Sequence, residues 1–194
     1  RYEFQKKRWS KAGKKNTALA MQIEAMLQGL ANASFLAFPA FIISTNPSEE
    51  ISIFEIIGMI IWIISFIMES VADVQKLTYL RAMKKSGARN MVCNIGLWKY
   101  SRHPNYFAEW MVWNALVIAS IPSWLNLYPN MSVLIFVLVG VGLLLTSRIM
   151  YVTLVTYTGA IPSEYYSVQK RPTYKDYQQT TNMFFPGPKK IKYF

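Results

Sequence analysis

The run at residues 51–72, with IIGMIIWIISFIM at its centre, narrows the fold of this chain more than any other feature. A lipid core about 30 Å thick takes roughly 20 apolar residues of helix to cross, and it tolerates no unpaired backbone groups. Three more apolar runs accompany it, at residues 21–44, 107–121 and 131–155, the last containing VLIFVLVGVGLLL. The third is short, ends at Pro122, and needs its approach from Asn105 to complete a crossing. Pro39 predicts a kink in the first. No period-two alternation and no internal repeat competes with helices. The expectation is an all-α, polytopic transmembrane bundle forming one domain over residues 1–194. It has about four membrane helices, at 21–44, 51–72, 105–121 and 131–155, and a polar pocket at the inner face. Composition agrees: 53% of residues are hydrophobic and 16% charged, against about 25% charged in ordinary soluble domains.

Charge orients the helices. The net charge is +11, from 21 Lys and Arg against 10 Asp and Glu. Seven of the cations lie in residues 1–20, seven between Lys76 and Arg102, and seven from Arg148 onward. Residues 45–50 carry only Glu49 and Glu50, and residues 122–130 carry no charge. With four crossings, the positive-inside rule places the basic loops 1–20 and 76–102 and the tail 159–194 on one side, with both termini. That side is cytosolic or matrix. The rule holds alike for the endoplasmic reticulum, the mitochondrial inner membrane and the bacterial inner membrane, so it sets the side and not the organelle. The basic residues sit in blocks between apolar runs rather than interleaved with aromatics on one soluble face, which argues against nucleic acid as a partner. Membrane lipids are the expected surroundings. A single Cys93 and a single His103 leave no intramolecular disulfide and no multi-histidine metal site. No cleavable signal peptide is visible, and the start at Arg1 leads us to expect that N-terminal sequence is missing.

Polar residues at the membrane edge add detail. Glu69 and Asp73 are four apart, on one face at the inner end of the second helix, as are Asn105 and Glu109 on the third. Arg148 ends the fourth, and Glu164 follows a break at residues 159–162. All fall at one depth. Interfacial solvation, with Arg148 pairing a carboxylate, would explain each singly; a shared polar pocket explains them together. Ahead of the third helix, Pro104 suits a first helical turn. That helix then points its positive end at the basic face, with Arg102 and His103 just before it. Trp98, Tyr100 and Tyr106 can stack on a flat ring or anchor the interface.

The segment GLWKYSRHPNYFAEW, residues 96–110, resembles the signature of the steroid 5-alpha-reductase C-terminal superfamily. Its nearest likeness is the branch resembling bacterial and protist membrane reductases. Further matches are Arg1-Tyr2, Arg8-Trp9, Gln28 to Pro39, then Phe66, Glu69, Asp73, Gln75 and Lys76. A C-terminal block matches at Pro162, Glu164, Arg171-Pro172, Tyr174, Tyr177, Thr180-Thr181, Phe185 and Pro186. The resemblance implies packed membrane helices and an NADPH pocket in the C-terminal half. Its cofactor-binding residues would be Asp73, Trp98, Arg102, His103, Asn105, Tyr106, Glu109, Glu164, Arg171, Tyr174 and Tyr177. It further implies hydride transfer from NADPH to a C=C bond conjugated with a carbonyl, in a lipid or sterol-like enone reached from the bilayer.

One departure matters. In those reductases the groups engaging the substrate carbonyl come from helices before the matched region, so the family's N-terminal helices are expected to be absent and no catalytic residue is assigned. Two alternatives stay open. One is a non-catalytic supernumerary subunit of a large membrane complex, such as a mitochondrial respiratory one, with protein partners. The other is an S-adenosylmethionine-dependent methyltransferase, since isoprenylcysteine carboxyl methyltransferases share an Arg-His-Pro-x-Tyr core. Asn105 and Glu109, which those enzymes usually lack, favour the reductase branch.

Overall fold

The computed structural model describes residues 9, 13, 16–88 and 90–190. The expectations resting on Arg1, Tyr2 and Arg8, on most of the first basic block, and on the side chain of Gln28 lie outside the described residues. The described backbone is helical, with no strand; one isolated bridge joins Ser101 to Asn182.

Helix α1 spans Thr17–Ala31 and passes through a π-helical turn, Asn32–Leu36, into α2, Phe38–Ser44. The kink predicted at Pro39 is thus a full break, with the helix restarting one residue before the proline. There a missing N–H costs nothing. Helix α3 spans Ile53–Lys85. Its start is sealed by a capping box. Ser52 Oγ accepts from Phe54 N, and Glu55 Oε2 accepts from Ser52 N at 2.7 Å. Its end carries Lys84 and Lys85 in the last turn and then Gly87 at φ +74, so cations face the negative helix end. Helix α4 spans Pro104–Ala119, α5 Ile121–Leu127 and α6 Val133–Val152. A second π turn, Thr153–Tyr157, leads to α7, Ala160–Lys170, and then α8, Tyr174–Thr180.

Two helical runs are long and apolar enough to cross a membrane, Ile53–Lys85 and Val133–Lys170. Only 11% and 17% of their most apolar windows are buried. A soluble protein's core helix would be mostly covered, whereas Ile60, Ile63, Ile64 and Ile67 of α3 all stand exposed, as they would toward lipid. The other two expected spans differ. The first run is divided between α1 and α2, and α4 has only 16 residues before Ser120 and α5 take over. The second run outlasts its apolar stretch. Instead of yielding to a loop at Lys76, α3 continues to Lys85, because nothing from Gln75 to Lys85 breaks a helix and the sequence there is rich in helix formers.

Helix α4 packs most extensively against α3. Gly58 makes this approach close: a Cβ there would sit 2.7 Å from the Ala115 carbonyl oxygen and 2.8 Å from the Ala119 Cβ. Small residues at such a crossing let backbones meet, as lipid-embedded helices require. Between α4 and α6 the contact is polar. Trp110 Nε1 donates to the Ser147 carbonyl, Ser147 Oγ donates to Asn114 Oδ1 at 2.7 Å, and Asn114 Nδ2 donates back to the Trp110 carbonyl. Aromatics then fill the space where α4, α6 and the C-terminal segment converge. Phe184 packs there against Phe107, Trp110 and Tyr151.

Gly58→Val should force α3 and α4 apart at a cost of about 1–3 kcal/mol. It would appear as a lower unfolding midpoint in detergent. An unchanged midpoint would mean that the crossing does not depend on the close approach.

Candidate functional site

The site is built on the loop that the 96–103 segment forms over the C-terminal half of α3. Gly96 sits at φ +51, and a side chain there would collide with the Gln75 amide. That amide accepts the Leu97 N–H at 2.9 Å. Trp98, 2% exposed, donates its indole N–H to the Ala72 carbonyl at 2.9 Å, and Lys76 Nζ lies 4.0 Å from its ring centre. One side of the loop is therefore stitched to α3.

Its other side is stitched to the C-terminal segment. The Arg102 guanidinium forks onto Glu164, Nε to Oε1 at 2.7 Å and Nη2 to Oε2 at 3.1 Å. Its Nη1 donates to the carbonyls of Gln178, at 3.0 Å, and Thr181. Gln178 Nε2 donates to Glu164 Oε2 at 2.6 Å, and His103 Nε2 meets Oε1 at 3.1 Å. The backbone joins in. Arg102 N donates to the Asn182 carbonyl, Ser101 Oγ to the Phe184 carbonyl and Gly187 N to the Tyr100 carbonyl, while the Tyr177 hydroxyl donates to the Trp98 carbonyl.

Charges in this cluster are balanced internally. Burial would raise the Glu164 pKa, but hydrogen bonds from His103, Arg102 and Gln178 outweigh it and hold the carboxyl down at about 2. Burial lowers the His103 pKa, against the pull of Glu164. A neutral imidazole with its proton on Nε2 fits both tendencies: it donates to the carboxylate while Arg102 supplies the balancing charge. Its ring stacks on Tyr106, centroids 5.3 Å apart and 1° from parallel. Burial likewise lifts the Tyr174 phenol to about 12 and raises Tyr177 further.

Asp73, Asn105 and Glu109 form a second group, between α3 and the start of α4. Asn105 Nδ2 donates to Asp73 Oδ1 at 3.0 Å across 32 residues of sequence. Asn105 Oδ1 is buried with no hydrogen-bond partner. Glu109, half-buried one turn further on, lies within electrostatic reach of Glu69 and Asp73. Arg148 does not join these carboxylates: it is exposed, its guanidinium 5.6 Å from the Tyr151 ring centre. The C-terminal end of α6 thus carries Arg148 to the aromatic side of the bundle, beside Tyr151.

Beside the clamp lies a small cavity, a neck of about 50 Å³, whose lining includes Lys76, Trp98, Arg102, His103, Arg171, Tyr174 and Tyr177. Leu80, Met91 and Arg171 also line a wider cleft of about 480 Å³, so the two are neighbours that share these side chains as walls. Of the expected site residues, Trp98, Arg102, His103, Arg171, Tyr174 and Tyr177 thus meet around one cavity. Glu164 stands behind them as the acceptor, and Tyr106 stacks alongside. Asp73, Asn105 and Glu109 meet separately. Sequence reading did not single out Gln178, which gives Glu164 its fourth hydrogen bond. Nothing in the sequence marks it, since its role depends on α8 folding back onto α7.

Acid should loosen this clamp. Glu164 keeps its stabilising charge above the ordinary carboxyl range and loses it as pH falls from about 4.5 toward 2. His103, whose pKa burial lowers in the folded chain, adds to the loss as pH falls below about 6.5, where the unfolded chain takes up the proton more readily than the folded one. Glu164→Gln leaves Arg102 buried without its counter-charge and is expected to cost about 3–5 kcal/mol. Thermal unfolding from pH 7 to pH 3 should show a steeper decline in the wild type than in this variant. Equal slopes would remove Glu164 as the titrating group.

None of the curated proteins and none of the solved structures matches the chain. One family model does match, over residues 1–181, and is described as "Protein of unknown function (DUF1295)". With all but the last residues of the chain covered by that match, the chain belongs to the DUF1295 family.

Proposed function

We propose that this chain is an integral membrane reductase of the steroid 5-alpha-reductase kind. It uses NADPH to reduce a C=C bond in a lipid or sterol-like enone. Its topology is four crossings with both termini on the positive side, α1–α2 and α4–α5 completing the crossings that α3 and α6 make alone. The observation that carries the reading is the meeting of Asp73 and Asn105, two positions to which the resemblance gives cofactor contacts. They bond to each other from different helices and leave Asn105 Oδ1 as a buried, unpartnered acceptor. Leaving such an atom unpaired costs about 1–3 kcal/mol, which a ligand N–H donor would recover. NADPH, when bound, supplies the hydride. Asp73, Asn105 and Glu109 would hold and orient it, and Lys76 and Arg171 would face its phosphates. Arg102 and Glu164, whose groups are taken up by each other and by the chain, position the neck without touching the ligand.

One observation favours a second reading, a non-catalytic subunit that keeps the fold. The neck, at about 50 Å³, is far below the roughly 300–1,000 Å³ of small-molecule sites. The reductase reading therefore needs α7 and α8 to move away from α3 when the ligand enters.

Titration of the purified full chain with NADPH, followed by ligand fluorescence, tests the reading. Asp73→Asn, Asn105→Ala and Glu109→Ala should each weaken binding by about tenfold or more, the size of one lost hydrogen bond to a charged or buried group. No NADPH binding together with S-adenosylmethionine binding would assign a methyltransferase. Binding of neither, with stoichiometric co-purification in a large complex, would assign the subunit.

A further inference from the structure

The wider cleft lies where the C-terminal ends of α3 and α7 converge. Lys84 comes from the last turn of α3, and Lys170 and Arg171 from the end of α7. No described carboxylate lines it, and no salt bridge among the described residues involves these three cations. Arg171 gives one N–H to Ser167 Oγ at 2.9 Å. Met83 and Met91 supply an adaptable apolar wall. The volume, about 480 Å³, falls inside the roughly 300–1,000 Å³ of small-molecule sites.

Cations at helix C-termini also answer the helix dipole. Here, however, two helix ends bring their cations to the same hollow, where they repel one another unless an anion lies between them. A lipid headgroup and a soluble phosphate ester both carry that anion, and depth separates them. About 20 residues from Ile53 cross the hydrocarbon, which ends near Ala72. Lys84 is 12 residues further along an unbroken helix, about 18 Å beyond that edge. The headgroup layer extends only about 5–8 Å per side.

We propose that the cleft between the ends of α3 and α7 is a binding site for a soluble phosphate ester of nucleotide size, held by Lys84, Lys170 and Arg171. The phosphates lie between the cations and the ring of the ligand lies against Met83 and Met91. The inference rests on the reductase reading only in giving the ligand's redox end to the neck; the phosphate site stands without it.

The probe is adenosine 2′,5′-bisphosphate, which lacks a nicotinamide, titrated calorimetrically into the full chain in zwitterionic nanodiscs. Saturable, salt-sensitive binding is expected. Lys84→Gln/Lys170→Gln, which changes two exposed side chains, should weaken it by about tenfold or more. Lys85→Gln, on the same turn but outside the cleft, should change it by less than about twofold. Three results would overturn the proposal: no saturable binding at millimolar probe, a double variant indistinguishable from Lys85→Gln, or displacement of the probe when anionic lipid replaces zwitterionic lipid at matched ionic strength. The last would assign the cleft to headgroups. Retained bisphosphate binding without any NADPH oxidation would count against the reductase and leave the phosphate site standing.

Discussion

The buried pair of Arg102 and Glu164 is the interaction on which the junction of the 96–103 loop with the C-terminal helices depends. Taking both charges out of water costs several kcal/mol per ion, and attraction repays it only when geometry is good and the remaining donors and acceptors are filled. Here they are filled. Arg102 divides its donors between a carboxylate fork and two carbonyls, and Glu164 accepts from Arg102, His103 and Gln178. Because the partners come from the loop before α4, from α7 and from α8, one pair ties three segments together. The backbone bridge at Ser101 and Asn182 and the packing of Phe184 follow from that junction.

The apolar helices do a different job. In lipid there is little hydrophobic gain in bringing them together, so their contacts rest on close approach and on polar links. Gly58 against Ala115 and Ala119 is the first kind; Trp110, Asn114 and Ser147 are the second. These contacts set the spacing of α3, α4 and α6. The C-terminal extension of α3 then carries Gln75, Lys76 and Lys84 out of the apolar stretch to where the loop and the C-terminal helices fold down on them. The site is thus assembled between the end of an unbroken helix and a clamp that the chain closes on itself.

That division sorts the residues by what they are free to do. Arg102 and Glu164 are occupied by one another, and His103 is engaged with Glu164 and stacked on Tyr106. Asn105 has a buried acceptor with no hydrogen-bond partner, and Lys84, Lys170 and Arg171 line one cleft with no described carboxylate among its walls. A motif that reads as one linear site is therefore two things in space: a structural junction over residues 101–103, and a separate polar group beginning at Asn105 and meeting Asp73.

Much was legible in the amino-acid sequence. Apolar length determined the helical class and where the two long apolar helices begin, to within two residues, and Pro39 marked an interruption that the fold turned from a kink into a break, because helix length, lipid thickness and proline's missing N–H are local constraints. The four-residue spacings of Glu69 with Asp73 and of Asn105 with Glu109 were equally readable, since they follow from helical geometry. Tertiary structure decided the rest. Only the fold could bring Asp73 to Asn105, spend Arg102 on Glu164, recruit Gln178 and turn Arg148 toward Tyr151. Only the fold could join Lys84 to Lys170, because the ends of two helices far apart in sequence come together through the clamp. Pairing across such separations depends on how the chain folds back, and no local pattern of residues encodes it.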